Sequence, residues 1–582
     1  MSFIKEIEKD LKDVICRAGY EIDNVTLAIS NRPDLGDYQI NDAMKLARNY
    51  KKNPRDIAND IVEILKEDYR FTNINVAGNG FINLSINSNY LIDCMNKMIS
   101  NVYNNIDLPQ KKKIIIDYGG ANVAKMLHVG HMRSANIGEA LKRLAKFLGN
   151  EVIGDAHLGD NGLQTGIVCL ELKHRFPNLP CFSESYNGED FDLPITEDDL
   201  SYIYPEGSIR IKASEELLTE ARNIVYLIQQ GHIGYNTLWN KVASLSIPAI
   251  KKVYEELNVT FELWEGERDS FKYIPAMFDE LEKQGLLYTS DGAKVMDVKE
   301  DTDEKEIPPI ILEKSDGAYL YGTTDLATIY SRVERFKPDE IWYVVDNRQE
   351  LHLTQVFRAA YKSKIAPSDL KLQFLGFGTI NGQDGKPFKT REGGVMSLPN
   401  LIDLVNVETY KKLNPNITDE KEKKSIARTI ALSAIKYADL IPYRSTDYIF
   451  NPDKFSDLEG KTGPYLLYST IRMKSLLKKA NELNINFNVI KKLKNEYDRE
   501  AMLNIINLPS ILTRAYEAKS LNDITEYIYK LTGSYNKFYS ENRIITEEDE
   551  DLRMSWLALT KLVLDINLML LDILAIDCPN KM

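Results

Sequence analysis

The chain reads as an α/β protein in three parts: a small α+β module, then a parallel sheet interleaved with helices, then an all-α helical bundle. Three observations predict this. Residues 113–117, Lys113-Ile114-Ile115-Ile116-Asp117, are a β-branched apolar run of the kind carried by strands covered on both faces. From there strand and helix patterns alternate to about residue 376, as parallel strands joined by crossover helices require. Past about residue 400 the two-residue alternation disappears, and apolar side chains recur only at helical spacing.

The first part spans 1–108. Ile4, Ile7, Leu11 and Val14 mark one helix face, and Asn53-Pro54 sets a capping residue before a proline that opens a second helix to Leu65. Ile82, Leu84 and Ile86 alternate with Asn83, Ser85 and Asn87 as a half-buried strand, with Gly78-Asn79-Gly80 as the turn before it. The second part spans 109–400. Its opening strand, a helix from Met132 to Leu148 and a strand at 151–155 make a βαβ unit. A polar, acidic, turn-rich stretch at 177–208 and helices at 209–257 interrupt the pattern, so an insertion is expected over about 177–257. Strands are expected again at 260–264, 341–346 and 372–376, with a helix around 356–361. Such a two-part sheet binds ligands at the carboxyl ends of its strands. The third part, 401–582, carries helices expected at 426–438, 466–480, 501–518, 524–539 and 555–574.

Composition narrows the class. With 582 residues, 43% of them apolar, there is material for several cores. The five cysteines, Cys16, Cys94, Cys169, Cys181 and Cys578, lack the close spacing of zinc sites, so reduced thiols, a cytoplasmic protein and no metal ligands are expected. The N-terminus enters an amphipathic helix directly, and the most apolar segment, 556–576, carries Lys561, Asp565 and Asp572; neither a signal peptide nor a membrane span is expected. A net charge of −13 excludes a chain coated in basic charge, yet 461–500 holds nine Lys/Arg against four Asp/Glu.

Between the first strand and its helix lies Ala121-Asn122-Val123-Ala124-Lys125-Met126-Leu127-His128-Val129-Gly130-His131. The unpaired amides and dipole of a helix start favour an anion. Two imidazoles there can hydrogen-bond phosphate oxygens, and Gly130 lets a flat base lie against the backbone. A second Gly-rich, basic loop, 382–394, offers Lys386, Lys389 and Arg391 to a triphosphate. Phosphoryl and nucleotidyl transfer depend mainly on positioning and fixed positive charge.

These two loops resemble the paired signatures of class I aminoacyl-tRNA synthetases. The string from Asp117 to Ser134 resembles the arginyl-tRNA synthetases within that class, and so do Gly154-Asp155-Ala156-His157-Leu158-Gly159-Asp160, Tyr321-Gly322-Thr323-Thr324-Asp325-Leu326-Ala327 and Gln349-Glu350-Leu351-His352. Gly463-Pro464-Tyr465-Leu466 with Tyr468 and Arg472 is similar to the start of that family's anticodon-binding bundle, and Gly36-Asp37-Tyr38 to its N-terminal tRNA-contacting module. The resemblance implies a Rossmann-type catalytic domain in a cytoplasmic monomer. It implies that L-arginine and ATP, with its accompanying Mg²⁺, form arginyl-adenylate and pyrophosphate, and that arginine then passes to the 3′ end of tRNA(Arg).

Carried over residue by residue, the resemblance implies that His128 and His131 bind ATP and stabilise the α-phosphate, with Gly130 beside adenine and His352 and Lys389 as further ATP contacts. Gly120, Ala121, Asn122 and His131 would hold the α-amino and carboxylate end of arginine, and Glu267, Tyr321, Asp325 and Gln349 its side chain. A planar fork of donors calls for bidentate carboxylates, a match that lysine cannot make. The late loop reads Lys386-Pro387-Phe388-Lys389-Thr390 and lacks the full Lys-Met-Ser-Lys-Ser signature; the resemblance implies that Lys125 stands in for the missing lysine beside Lys386 and Lys389. Asn161 occupies a position where relatives carry Trp. For tRNA, Tyr465, Tyr468, Arg472, Tyr539 and Arg543, with Tyr535 and Asn542 near them, offer stacking and charge to unpaired bases. Two other readings make different demands. A small-molecule nucleotidylyltransferase shares the His-x-Gly-His loop but leaves Asp325 and the bundle unemployed, and a synthetase-like RNA-binding protein predicts damaged ATP loops.

Overall fold

A computed structural model describes residues 2–386, 396–413 and 417–582. Its central sheet has four parallel strands, Lys113–Asp117, Glu151–Asp155, Glu340–Tyr343 and Lys371–Phe374, in the spatial order second, first, third, fourth. Ile114, Ile115 and Ile116 are fully buried, as a strand covered on both faces demands. The chain leaves the first strand to one side and returns on the other, so a crevice opens where the first and third strands end. Residues 260–264 do not form the expected strand. They make single bridges, Asp155 to Leu263 and Leu158 to Gly266 a little further on, because the Glu262 carboxylate, rather than a backbone carbonyl, takes the Gly154 N–H at 2.7 Å.

The insertion folds as helices Leu200–Lys212, Glu215–Gln229 and Ile233–Glu256. The first begins inside the stretch expected to be turn-rich. Leu200, Ile203, Gly207 and Ile211 form one buried stripe, and its packing overrides the polar composition and Pro205. A three-stranded antiparallel sheet, Leu287–Ser290, Ala293–Met296 and Ile310–Glu313, follows before the helix Tyr321–Phe336.

The bundle contains Glu420–Leu440, Gly463–Glu482, Glu496–Ile506, Leu508–Ala518, Asn522–Glu541 and Glu550–Ile573. The single helix expected at 501–518 is two, because Pro509 has no N–H to give and sits only in the first turn of a new helix. An unanticipated helix, Leu398–Lys412, runs through the 400/401 boundary. Glu550–Ile573 is long and apolar enough to cross a membrane by length and composition, but 72% of its apolar window is buried inside the protein. At the other end of the chain, a four-stranded antiparallel sheet and its helices form the first module. Asp37 accepts two hydrogen bonds from Arg499 at 2.8 and 2.6 Å, and the Tyr38 hydroxyl donates to Asn507 at 3.1 Å. The Gly36-Asp37-Tyr38 loop is therefore engaged by the bundle.

Candidate active site

The helix Val129–Phe147 begins three residues ahead of its expected start because His128 caps it. His128 Nδ1 accepts the Gly130 N–H at 3.1 Å, and His131 Nδ1 accepts the His128 N–H at 3.1 Å. A neutral ring whose Nδ1 accepts carries its proton on Nε2. Burial, then His128 and Lys125, push His131 down to about 3; burial, then Lys125 and Arg348, lower His128. The two rings, 3.9 Å apart, thus present neutral Nε2–H donors at a helix N-terminus near pH 7. Gly130 is exposed beside them.

Gly120, Ala121 and Asn122 follow the end of the first strand; Gly120 is exposed and Ala121 fully buried. The Val123 N–H donates to the Gly159 carbonyl at 3.0 Å, and the Gly159 N–H to the Ala121 carbonyl at 2.9 Å. A Cβ on Gly159 would stand 2.6 Å from the Asn122 Oδ1, so glycine there leaves the Asn122 side chain in place. Next along this edge, Asp160 accepts the Arg268 N–H at 3.0 Å, which sets Glu267 beside the same loops.

Glu267 is half-buried, and its Oε2, shut off from solvent, has no hydrogen-bond partner among the described residues. Burial, then Asp325 and Asp160, push its carboxyl well above the carboxylate range, with the Asn161 N–H offsetting part of this. Asp160 is itself pushed up to about 6, chiefly by burial. Tyr321 opens the Tyr321–Phe336 helix and is 54% exposed. Gly162, at φ +107°, clears space for it; a Cβ there would lie 2.7 Å from the Tyr321 hydroxyl. Asp325 bonds His352 Nε2 at 2.5 Å. Burial pulls His352 down, but this bond and the Asp325 charge outweigh it and raise the imidazole above its ordinary value. Gln349 is exposed at the start of the same helix, Glu350–Lys362. An acidic, partly unsatisfied pocket of this kind is suited to a cation that brings several donors.

Lys386 lies on an exposed turn closed by the Gly382 N–H to its carbonyl at 2.8 Å; Lys389 lies outside the described residues. Beyond it, the Val129 N–H donates to Met396 at 3.3 Å and the Leu398 N–H to Leu127 at 2.9 Å, which fastens 396–398 along the histidine loop.

Sequence reasoning missed several supporting groups. Arg332 donates to Asp117 at 2.7 Å and Asp155 at 2.6 Å and to the Tyr343 hydroxyl at 3.2 Å, tying together three strand ends. Asp117, Asp155 and His157 have potential ligand atoms within 4.8 Å of one another, but the guanidinium of Arg332 already serves both carboxylates. Ser134 accepts the Gly119 N–H and donates to Val344. Asn161 accepts from the Gln229 carboxamide at 3.1 Å, and the same carboxamide accepts the Tyr319 N–H at 3.1 Å, two residues before Tyr321. None of these partnerships leaves a spacing signal in the chain.

In the bundle, the Arg472 guanidinium lies 5.7 Å from the Tyr468 ring and 4.7 Å from that of Tyr539, and bonds Asn536, which in turn donates to the Tyr465 hydroxyl at 2.8 Å. Arg472, Lys479, Tyr539 and exposed Arg543 line a groove of about 570 Å³. Tyr468 is 47% exposed, whereas Tyr535 is fully buried core and Asn542 is buried. Much of the basic excess is neutralised nearby: Lys461 pairs with Glu526, Lys491 with Asp551, Lys492 with Asp549, and Lys494 with Glu547.

Three family descriptions match the chain: tRNA synthetases class I (R), catalytic domain, over residues 94–452; arginyl tRNA synthetase N terminal domain over 2–86; and DALR anticodon binding domain over 466–582. The chain is 44% identical to the arginine–tRNA ligase of Alkaliphilus oremlandii, covering 100% of this chain and 99% of the relative, and 41% identical to that of Agathobacter rectalis with the same coverage. Its fold matches a solved arginyl-tRNA synthetase from Plasmodium falciparum with a TM-score of 0.81 at 24% identity, covering 100% of this chain and 99% of that one. The Thermus thermophilus arginyl-tRNA synthetase gives 0.78 at 19%, covering 100% of both chains. Matched along its whole length by these relatives, the chain belongs to the class I arginyl-tRNA synthetase family.

Proposed function

We propose that this chain is an arginine–tRNA ligase whose parts divide the work: 1–108 contacts tRNA, 109–400 activates arginine, and 401–582 reads the anticodon end. The observation that carries the reading is the buried, unpartnered Glu267 Oε2 beside Asp325, in the same crevice as two neutral histidine donors. The guanidinium of arginine satisfies both carboxylates, with Tyr321 and Gln349 at the mouth, while Gly120, Ala121 and Asn122 receive its α-amino and carboxylate end. That carboxylate oxygen attacks the α-phosphorus of ATP, and the bond to pyrophosphate breaks. His128 and His131 donate Nε2–H bonds to the α-phosphate without giving up a proton, and Gly130 leaves room for adenine. Lys125, Lys386 and Lys389 supply fixed positive charge as the transition state forms. A terminal ribose hydroxyl of tRNA(Arg) then attacks the arginyl carbonyl and AMP leaves.

Mg²⁺ enters with ATP, bound to its phosphates. A cytoplasmic setting is supported by the five cysteines, all free thiols. A monomer is supported by one chain supplying every pocket group named above. The groove of Arg472, Tyr539 and Arg543, with Tyr468 beside it, fits unpaired bases near a phosphate chain. ATP–pyrophosphate exchange with each of the twenty amino acids, with and without tRNA, tests the reading. Exchange confined to arginine and dependent on tRNA is expected; exchange with another amino acid, or with none, sinks it.

A further inference from the structure

The inserted helices grip the chain just ahead of the histidines at two adjoining residues. From Ile233–Glu256, Ser246 Oγ accepts the Ala124 N–H at 2.8 Å and so holds Ala124 at φ +63°, a conformation that alanine rarely adopts. From Leu200–Lys212, the ring of Tyr204 lies against Lys125, whose Nζ is 4.1 Å from the ring centroid. That is well inside the range of cation–π attraction, and both side chains are partly buried, which strengthens it. A free lysine samples many rotamers; one held on a ring has lost most of that freedom before substrate arrives.

The held ammonium faces the site. It depresses both His128 and His131 after burial has done so. On its other side Tyr204 neighbours Tyr321, whose hydroxyl is pushed up by burial, then Glu267, Asp325 and Tyr204. We propose that Tyr204 is a positioning residue for the activation step: its ring, brought in by the inserted subdomain, holds the Lys125 ammonium within reach of the α-phosphate. This rests on the ligase reading above. Lys125 keeps its proton throughout, the new bond runs from the arginine carboxylate oxygen to phosphorus, and the broken bond leaves its electron pair on pyrophosphate. The insertion then belongs to the reacting apparatus and is more than a spacer between the halves of the sheet.

The test is arginine- and tRNA-dependent exchange by the full chain in Tyr204→Leu, Tyr204→Phe, Lys125→Ala and the Tyr204→Leu/Lys125→Ala pair. Tyr204→Leu is expected to lower kcat by about tenfold with both KM values held within about twofold. Tyr204→Phe keeps the ring and recovers most of the rate, and Tyr204→Leu adds no loss once Lys125 is alanine. NMR titration of His128 gives a readout independent of turnover. Freeing the ammonium raises His128 toward its ordinary value in Tyr204→Leu but not in Tyr204→Phe, with Arg348 and His131 the other groups facing that ring. Additive losses in the pair, an equal loss in Tyr204→Phe, or an unmoved His128 overturn the proposal. An impaired Lys125→Ala beside an unimpaired Tyr204→Leu overturns the Tyr204 role alone. A silent Lys125→Ala overturns both it and the role of Lys125 in the ligase reading.

Discussion

The histidine loop and the acidic pocket share one crevice but stand in opposite electrostatic conditions. In the loop, each Nδ1 already holds a backbone N–H and both rings are kept neutral. In the pocket, Glu267 has an unpartnered buried oxygen and Asp160 is pushed up to about 6. The difference teaches that a phosphate can be met by neutral donors fixed before it arrives, because nearly any nucleotide offers the same oxygens. In the proposed reading a guanidinium is told from other cations by buried carboxyl oxygens left short of partners, which the right fork of donors supplies.

The contrast can be broken at the pocket first. Asp325→Asn removes the carboxylate proposed to meet the substrate cation and should lower kcat/KM for arginine by roughly 100-fold or more, as read by steady-state exchange; because Asp325 also holds His352, KM for ATP is followed beside it. A smaller effect is a dependence of stability on pH. Burial pushes the Asp160 carboxyl from its ordinary 3.8 up to about 6, so the folded state keeps its proton longer and the contribution of this group to stability falls as pH rises from about 4 to 6. Across that window the stability of Asp160→Asn from urea unfolding should therefore gain roughly 2–3 kcal/mol on that of the unaltered chain. At the loop, Lys125→Ala should slow single-turnover adenylate formation by about tenfold with an unchanged circular dichroism spectrum. Least of all should the loop respond to acid: the His131 NMR signals should stay those of a neutral ring down to pH 5, and titration near 6.5 would end the contrast.

Local rules made some of this legible. The 113–117 and 151–155 strands and the Pro54–Leu65 helix are where β-branched runs and an Asn-Pro cap placed them, since their signals lie within a few residues. The 260–264 strand failed because a side chain, Glu262, took over a backbone role, which alternation cannot register. The histidine loop was visible as a motif, but its neutrality was not, since burial by distant elements sets it. Glu267 looks like an ordinary turn residue until the fold shuts its Oε2 off from solvent near Asp325. Arg332 reaches Asp117 across 215 positions, a pairing only tertiary structure can choose.

The Asp37–Arg499 pair has a consequence for how the chain behaves when cut. Asn96 also exchanges two hydrogen bonds with the backbone of Ile490, each 2.8 Å, so the first module is moored to the last helices by side chains from both ends of the sequence. The peptide linking the module to the sheet is therefore one of two connections. A protease nick near Lys111 should yield two fragments that stay together through gel filtration, and Arg499→Ala should weaken that association, with the Asn96–Ile490 and Tyr38–Asn507 bonds still in place.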